Sequence, residues 1–263
     1  MPEVTIDGVR VDVEYNNTIL DAARKAGIWI PTLCYHPSLP PSGSCRLCMV
    51  EVESEDRKGF VSSCNYPVRS NIIVNASSER VKQMRKGVME LLIARAPESR
   101  ELRELAEKLG VSGTPYPKVT EAQDNCILCG LCVAVCEEVM GCSAISFAGR
   151  GVERVVSAPF RLPSDACIAC GACAVVCPVG TIQVRIYEDS GEAEIHPFKS
   201  RVKLITCEEC GRLMVPEPVA IRTSEKVKIN WEEFRRRARL CPACRRKKTV
   251  EALSKFNLNI FHK

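Results

Sequence analysis

Cys126, Cys129, Cys132 and Cys136 stand in a Cys-x2-Cys-x2-Cys-x3-Cys run, and Cys167, Cys170, Cys173 and Cys177 repeat that spacing with Pro178 after the last. Three thiolates on one tight loop can hold three irons of a cubane, whereas the fourth, set just beyond on a short helix, points toward the other cluster. The spacing therefore predicts one [4Fe–4S] on Cys126, Cys129, Cys132 and Cys177, and a second on Cys167, Cys170, Cys173 and Cys136. Disulfides or thiols scattered through a core are the alternatives, and the doubled spacing argues against both.

A second constellation lies upstream, as Cys34-x10-Cys45-x2-Cys48-x15-Cys64 with Gly43 and Ser44 ahead of the second thiol. Four cysteines with a close central pair can hold a [2Fe–2S] rhombus, two sulfurs to each iron, and small residues let loop amides approach the sulfurs. A four-cysteine zinc site is the other reading. In the tail, Cys207-x2-Cys210 and Cys241-x2-Cys244 are separated by thirty residues. Two such knuckles suit one structural Zn2+ held as a tetrahedron, with iron or a further cluster as alternatives. The thirty-residue gap exceeds the common zinc-ribbon spacing. One cysteine, Cys142, is left over and reads as a buried small hydrophobe.

The elements that must position these thiols follow from the apolar patterning. Val4 and Ile6, then Val9, Val11 and Val13, alternate about the turn Asp7-Gly8, which predicts a hairpin. Thr18 caps a helix carrying Ile19, Leu20, Ala22, Ala23 and Ala26 and ending at Gly27. Phe60, Val61 and Ile72, Ile73, Val74 predict further strands. From Glu79 to about Leu109 the pattern is helical, with Val81, Met84, Val88, Leu91 and Leu92 on one face. Gly110, Gly113, Pro115 and Pro117 mark a linker over 110–120. A strand is expected over Gln183–Tyr187 and a helix over Trp231–Leu240.

Composition bounds the function. The chain has no apolar run near the length needed to cross a bilayer and no apolar secretory core after its first residues, so a cytoplasmic location is expected, where thiols stay reduced. The formal charge of +5 counts every cysteine as neutral. Each four-thiolate site carries roughly −2 with its metal, so four such sites bring the balance to about −3. Eight basic residues, Arg235, Arg236, Arg237, Arg239, Arg245, Arg246, Lys247 and Lys248, cluster in the tail. With no aromatic interleaved for base stacking, they suit docking on an acidic partner better than nucleic acid. No Gly-x-Gly-x-x-Gly dinucleotide fingerprint occurs. His36, His196 and His262 read as surface residues, and no catalytic residue is expected.

The run IPTLCYHPSLPPSGSCRLCMVEV, followed by Cys64, resembles the N-terminal domain shared by the large iron–sulfur subunit of respiratory complex I, the diaphorase subunit of NAD-reducing hydrogenases, and iron-only hydrogenases. NCILCGLCVAVCEEVMGCSAISFAGRGVER resembles the cluster-binding domain of the same complexes, and TCEECGRLMVPEP with LCPACRRKK is similar to the C-terminal end of the ferredoxin-type subunit of formate hydrogenlyase. The resemblance implies an α+β chain: a β-grasp [2Fe–2S] ferredoxin domain over 1–78, a helical spacer and linker over 79–120, a two-[4Fe–4S] ferredoxin-like domain over 121–200 and a four-cysteine zinc-ribbon-like extension over 201–263. In the resembled family the spacer ends in a His-x3-Cys-x2-Cys-x5-Cys cluster site. Here Ala96, Arg100, Arg103 and Leu109 occupy those positions, so that cluster is expected to be lost. The function implied is a non-catalytic electron-transfer subunit, relaying single electrons between a catalytic formate dehydrogenase or hydrogenase subunit and a flavoprotein, NAD-type or ferredoxin-type partner. A free-standing polyferredoxin-like carrier and a zinc-ribbon nucleic-acid-binding redox sensor are the alternatives.

Overall fold

The computed structural model describes residues 1–54, 58–119 and 125–260. Thr120, at the end of the expected linker, residues 121–124, at the start of the expected two-cluster domain, and His262 lie outside the described residues. The chain divides into two compact units, Met1–Ser157 with Ala172–Ile182, and Ala158–Gly171 with Gln183–Lys263.

The first unit opens on a five-stranded sheet in the order β2-β1-β5-β3-β4. Strands β1 (Glu3–Ile6) and β2 (Val9–Asp12) form an antiparallel hairpin across Asp7 and Gly8, both with positive φ as a two-residue hairpin turn requires. β5 (Ile72–Asn75) pairs parallel with β1, Val4 opposite Ile72 and Ile6 opposite Val74, so these four apolar side chains enter the core together while Ile73 faces out. β3 (Met49–Glu53) pairs antiparallel with β5 and with β4 (Lys58–Ser62). The alternation expected along β2 is weak in the structure. Val9 is exposed and Val11 only half-buried, because β2 is an edge strand, and Val13 enters the core beyond its end.

Helix α1 (Ile19–Lys25) starts in a capping box: the Asp21 amide donates to Thr18 Oγ1 at 3.2 Å and the Thr18 amide to Asp21 Oδ2 at 3.0 Å. Its buried Ile19, Leu20, Ala22 and Ala23 join Val4, Ile6, Val50, Val61 and Val74 in one cluster.

The helical pattern expected from Glu79 to about Leu109 forms two helices, α2 (Glu79–Arg95) and α3 (Arg100–Lys108). Pro97 forbids a continuous helix, and Ser99 re-caps the chain by accepting from the Leu102 amide at 3.3 Å. The buried residues of α2 are Val81, Arg85, Met89 and Ala94, with Leu91 exposed. Val88 and Leu92 of the expected face pack partly buried against the core while Leu91 turns outward, and an arginine occupies an inward position that apolar counting cannot recognise. Helix α4 (Leu131–Ala134) runs into a π turn over Val135–Val139, and α5 (Ala172–Val175) packs near it. The short strands β6 (Ser146–Ala148) and β7 (Val155–Ser157) pair antiparallel.

The second unit holds a four-stranded sheet in the order β11-β10-β9-β8. Its strands are β8 (Gln183–Tyr187), β9 (Glu192–His196), β10 (Ser200–Thr206) and β11 (Leu213–Pro216). The cross-strand neighbours Glu194 and Arg201 form an ion pair at 2.6 Å, with the Arg201 guanidinium over the Tyr187 ring at 4.6 Å. Three helices follow: α6 (Glu217–Lys226), α7 (Trp231–Ala238) and α8 (Pro242–Ile260). The sequence reading placed β8 and α7 but not β9, β10, β11, α6 or α8.

Candidate metal centres

Cys34, Cys45, Cys48 and Cys64 are all buried. Their sulfurs form a chain of thiol contacts. Hydrogen bonds from the Cys45 and Cys64 thiols bring the Cys34 pKa down to about 2, overcoming burial. A hydrogen bond from Cys64 brings Cys48 down to about 6. The donors move the other way: Cys45 is pushed up by its bond to Cys34 and by burial, and Cys64 by its bonds to Cys34 and Cys48. Four buried sulfurs linked in such a chain fit a thiolate-ligated rhombus. The approach to them is narrow. The Cys45 amide donates to Cys34 Sγ at 3.3 Å, and Gly43 has φ 63, with a Cβ there standing 2.7 Å from Asn65 Nδ2, so that the Asn65 side chain would have to move.

The second group begins at Cys126. Cys129 and Cys132 are buried, and Cys126 and Cys177 are half-buried. Burial pushes Cys129 up to about 12, with the charges of Cys177, Cys126 and Cys34 adding to the effect. Cys132 is also raised by burial, then by Cys129, Cys126, Cys173 and Cys177. The charge of Cys177, the fourth cysteine of the second motif, thus acts on Cys129 and Cys132 of the first. The Leu128 amide donates to Cys126 Sγ at 3.4 Å, from a residue held at φ 54. Arg95, at the end of α2, donates Nε to the Cys126 carbonyl at 3.2 Å and Nη2 to the Arg154 carbonyl at 3.1 Å.

Cys136 lies in the π turn after α4, where the Met140 amide reaches the Val135 carbonyl and the Cys142 amide the Cys136 carbonyl. Such widened turns gather at functional positions because they re-aim a side chain. The Ala144 amide donates to Cys136 Sγ at 3.4 Å. Cys136 and Cys173 belong to the first unit, and Cys167 and the exposed Cys170 to the second.

Two sets of sulfurs in the first unit share one apolar cluster. Cys34, Cys45 and Cys129 lie in it with Leu33, Leu39, Leu47, Ile127, Leu131 and Val135, and Cys173 and Cys177 pack against it.

In the second unit, the sulfurs of Cys207, Cys210, Cys241 and Cys244 all lie within 4.8 Å of one another. Cys210 and Cys241 are 3.8 Å apart, and sulfurs placed about 2.3 Å from zinc in a tetrahedron would be separated by about 3.8 Å. The first pair sits in the turn between β10 and β11, and the second where α7 gives way to α8. Cys241 precedes Pro242 at the start of α8, and its sulfur accepts from the Cys244 amide at 3.5 Å. One knuckle is thus a hairpin and the other a helix start, which departs from the two hairpins of a ribbon. Backbone amides of Cys241 and Cys210 hold Cys207 down to about 6, while thiol bonds to Cys210 and Cys241 push Cys244 up to about 12.

Other expected positions differ in detail. Cys142 is half-buried, its thiol donating to the Met140 carbonyl at 3.6 Å, rather than packed as a core hydrophobe. His36 and His196 are half-buried rather than on the surface, and His36 Nδ1 accepts from the Ser38 amide at 3.2 Å. Ala96 is buried at the end of α2, Arg100 pairs with Glu104 at 2.8 Å, and Arg103 donates to the Glu98 carbonyl at 3.1 Å. These positions hold no thiol or imidazole. All eight tail basic residues are exposed, and Arg237, Arg239 and Lys248 pair with Glu233, Glu208 and Glu209. Sequence reasoning missed Arg85 and Ser63 beside the first thiol group, since neither carries a motif.

Comparison with known proteins agrees with the thiol pattern. Residues 2–79 match a 2Fe-2S iron-sulfur cluster binding domain and residues 162–183 a 4Fe-4S binding domain. The NADP-reducing hydrogenase subunit HndD of Solidesulfovibrio fructosivorans is 36% identical over 189 residues, 62% of this chain and 32% of that protein. The mitochondrial NADH-ubiquinone oxidoreductase 78 kDa subunit of Candida albicans is 32% identical over 173 residues, 57% of this chain and 24% of that protein. The chain thus spans a third or less of the length of these relatives. Among solved structures, a chain of an NAD+-reducing [NiFe]-hydrogenase in the H2-reduced state superposes with a TM-score of 0.53 at 28% identity, over 60% of this chain and 75% of that one. The described residues include no helix long and apolar enough to cross a membrane. The chain is homologous to iron–sulfur subunits of NADH-quinone oxidoreductases and NAD-reducing hydrogenases, and carries both a 2Fe–2S and a 4Fe–4S binding domain.

Proposed function

We propose that this chain is a cytoplasmic electron-relay subunit of a multisubunit oxidoreductase. A β-grasp domain would hold [2Fe–2S] on Cys34, Cys45, Cys48 and Cys64. A ferredoxin-like domain would hold one [4Fe–4S] on Cys126, Cys129, Cys132 and Cys177 and another on Cys136, Cys167, Cys170 and Cys173. Cys207, Cys210, Cys241 and Cys244 would hold Zn2+. The clusters supply one-electron redox capacity; the polypeptide supplies thiolates, amide donors to sulfur and a dry surround that sets their potentials.

The observation that carries this reading is the apolar cluster shared by Cys34 and Cys129, with Cys34's charge felt at Cys129. With the intervening histidine-type site lost, electrons would pass directly between the [2Fe–2S] group and the first [4Fe–4S] group, which share this cluster. Partners are a formate dehydrogenase- or hydrogenase-type catalytic subunit on one side and a flavoprotein, NAD-type or ferredoxin-type protein on the other, with the exposed arginines of α7 and α8 suited to an acidic docking surface.

Anaerobic reconstitution of the full chain tests the reading. One [2Fe–2S] and two [4Fe–4S] clusters require about ten irons with matching sulfide, and three separately reducible paramagnetic centres. Iron and sulfide well below that content would overturn it. Affinity purification from native extract identifies the partners, and recovery of the chain alone would favour a free carrier.

A further inference from the structure

Arg85 is 7% exposed and sits on the inward face of α2. Its Nε and Nη2 donate to a single acceptor, the Met49 carbonyl, at 3.2 and 2.9 Å. Met49 directly follows Cys48, so this anchor fixes a buried guanidinium against the Cys48 side of the first thiol group. Among the described residues no carboxylate lies within ion-pair distance of it, and the charges that act on it are those of Cys48 and Asp7, opposing the loss of solvation. Arginine remains charged in protein interiors. A buried cation without a contacting counter-ion is costly unless a negative charge stands close by.

Ser63 adds to the same side. It is fully buried and its hydroxyl has no partner at hydrogen-bonding distance. Its hydroxyl lies beside the Cys48 sulfur. Ser63 precedes Cys64, and its amide donates to the Cys48 carbonyl at 3.2 Å. The Cys48 and Cys64 end of the group therefore faces a fixed positive charge and an unspent hydroxyl dipole.

Resting on the [2Fe–2S] reading above, we propose that Arg85 and Ser63 are positioning residues that raise the reduction potential of that cluster by stabilising the added electron at its Cys48–Cys64 end. Reduction adds one negative charge and breaks no bond, so a buried cation fixed beforehand favours the reduced state without reorganising. Arg85 also lies on the helix that leads to the first [4Fe–4S] loop, but its charge acts at the opposite end.

The test is an EPR-monitored redox titration of the anaerobically reconstituted full chain with dithionite and mediators. Arg85→Gln keeps a hydrogen-bond donor and removes the charge. It should make reduction of the [2Fe–2S] centre at least tenfold less favourable, a fall of about 59 mV for a one-electron couple. Arg85→Lys should stay within twofold of wild type, Ser63→Ala should lose about threefold, and the [4Fe–4S] midpoints should move less than the [2Fe–2S] one. An Arg85→Gln chain with full iron content and an unmoved midpoint overturns the proposal, as does an Arg85→Lys chain that falls as far as the glutamine variant. If Arg85→Gln does not assemble, Ser63→Ala decides, and an unmoved midpoint there overturns it. Absence of any [2Fe–2S] signal in the unmutated chain would instead count against the underlying cluster reading.

Discussion

Backbone conformation at single residues carries much of the burden at these sites. Arg46, Leu128 and Ala169 each occupy the left-handed region between two cysteines of a Cys-x2-Cys pair. Each such residue costs about 1–2 kcal/mol for an L-amino acid. In the Leu128 case the return is visible, an amide aimed at Cys126 Sγ. Such strain persists only where the surroundings over-determine it, and it concentrates at functional loops. Gly43 meets the same demand without a side chain. Gly43→Ala should destabilise the first thiol loop by about 1–2 kcal/mol, with a matching fall in [2Fe–2S] occupancy by visible absorption and iron analysis. Cys64→Ala should remove the [2Fe–2S] EPR signal and about two of about ten irons while the [4Fe–4S] signals persist. The thiols themselves were plain in the sequence because their spacing is rigidly tied to cluster geometry. The left-handed residues were not, since nothing in the letters Arg, Leu or Ala asks for that conformation.

Helix α2 links the two thiol groups of the first unit. Arg85 and Arg95 stand ten residues apart on it, about 15 Å along a helix axis, and each clamps a carbonyl of a cysteine loop, Met49 for one and Cys126 for the other. Arg95→Ala removes two donors and should cost about 1–3 kcal/mol. The expected readout is faster chelator-driven iron loss from the first [4Fe–4S] centre, with the [2Fe–2S] centre lost at the wild-type rate. Ser99→Ala should cost about 1 kcal/mol through its lost cap, measured by chemical denaturation. At this scale the sequence spoke clearly where local chemistry decides, as with Thr18 and Asp21 at α1 or Asp7 and Gly8 in the first hairpin. It misled where tertiary context decides. A buried Arg85 looks like a surface residue, Leu91 looks like core, and the break at Pro97 hides inside an otherwise helical run. The sheet edge β2 kept its apolar letters without burying them.

For the molecule as a whole, loaded metal sites reverse the sign of the charge. With all four proposed thiolate sites loaded, the formal +5 would become about −3. The reconstituted chain should therefore focus below pH 7, and stepwise chelation should move it back upward. On the proposed Zn2+ assignment, chelating that ion, or making Cys244→Ser, should release one metal ion and reduce helical CD from α8 while leaving all iron–sulfur EPR signals in place.

The apolar layer holding Cys34 and Cys129 has a further effect. Charge placed in so poorly polarisable a medium is screened little, so an electron resting on one centre repels the next arrival at its neighbour. The two centres should therefore fill in sequence, their midpoints spread apart, and the Cys64→Ala chain should accept its electron at the first [4Fe–4S] site more readily than the intact one. Mutual repulsion of this kind would keep a pair of carriers from becoming a reservoir, so that each electron admitted pushes the previous one onward.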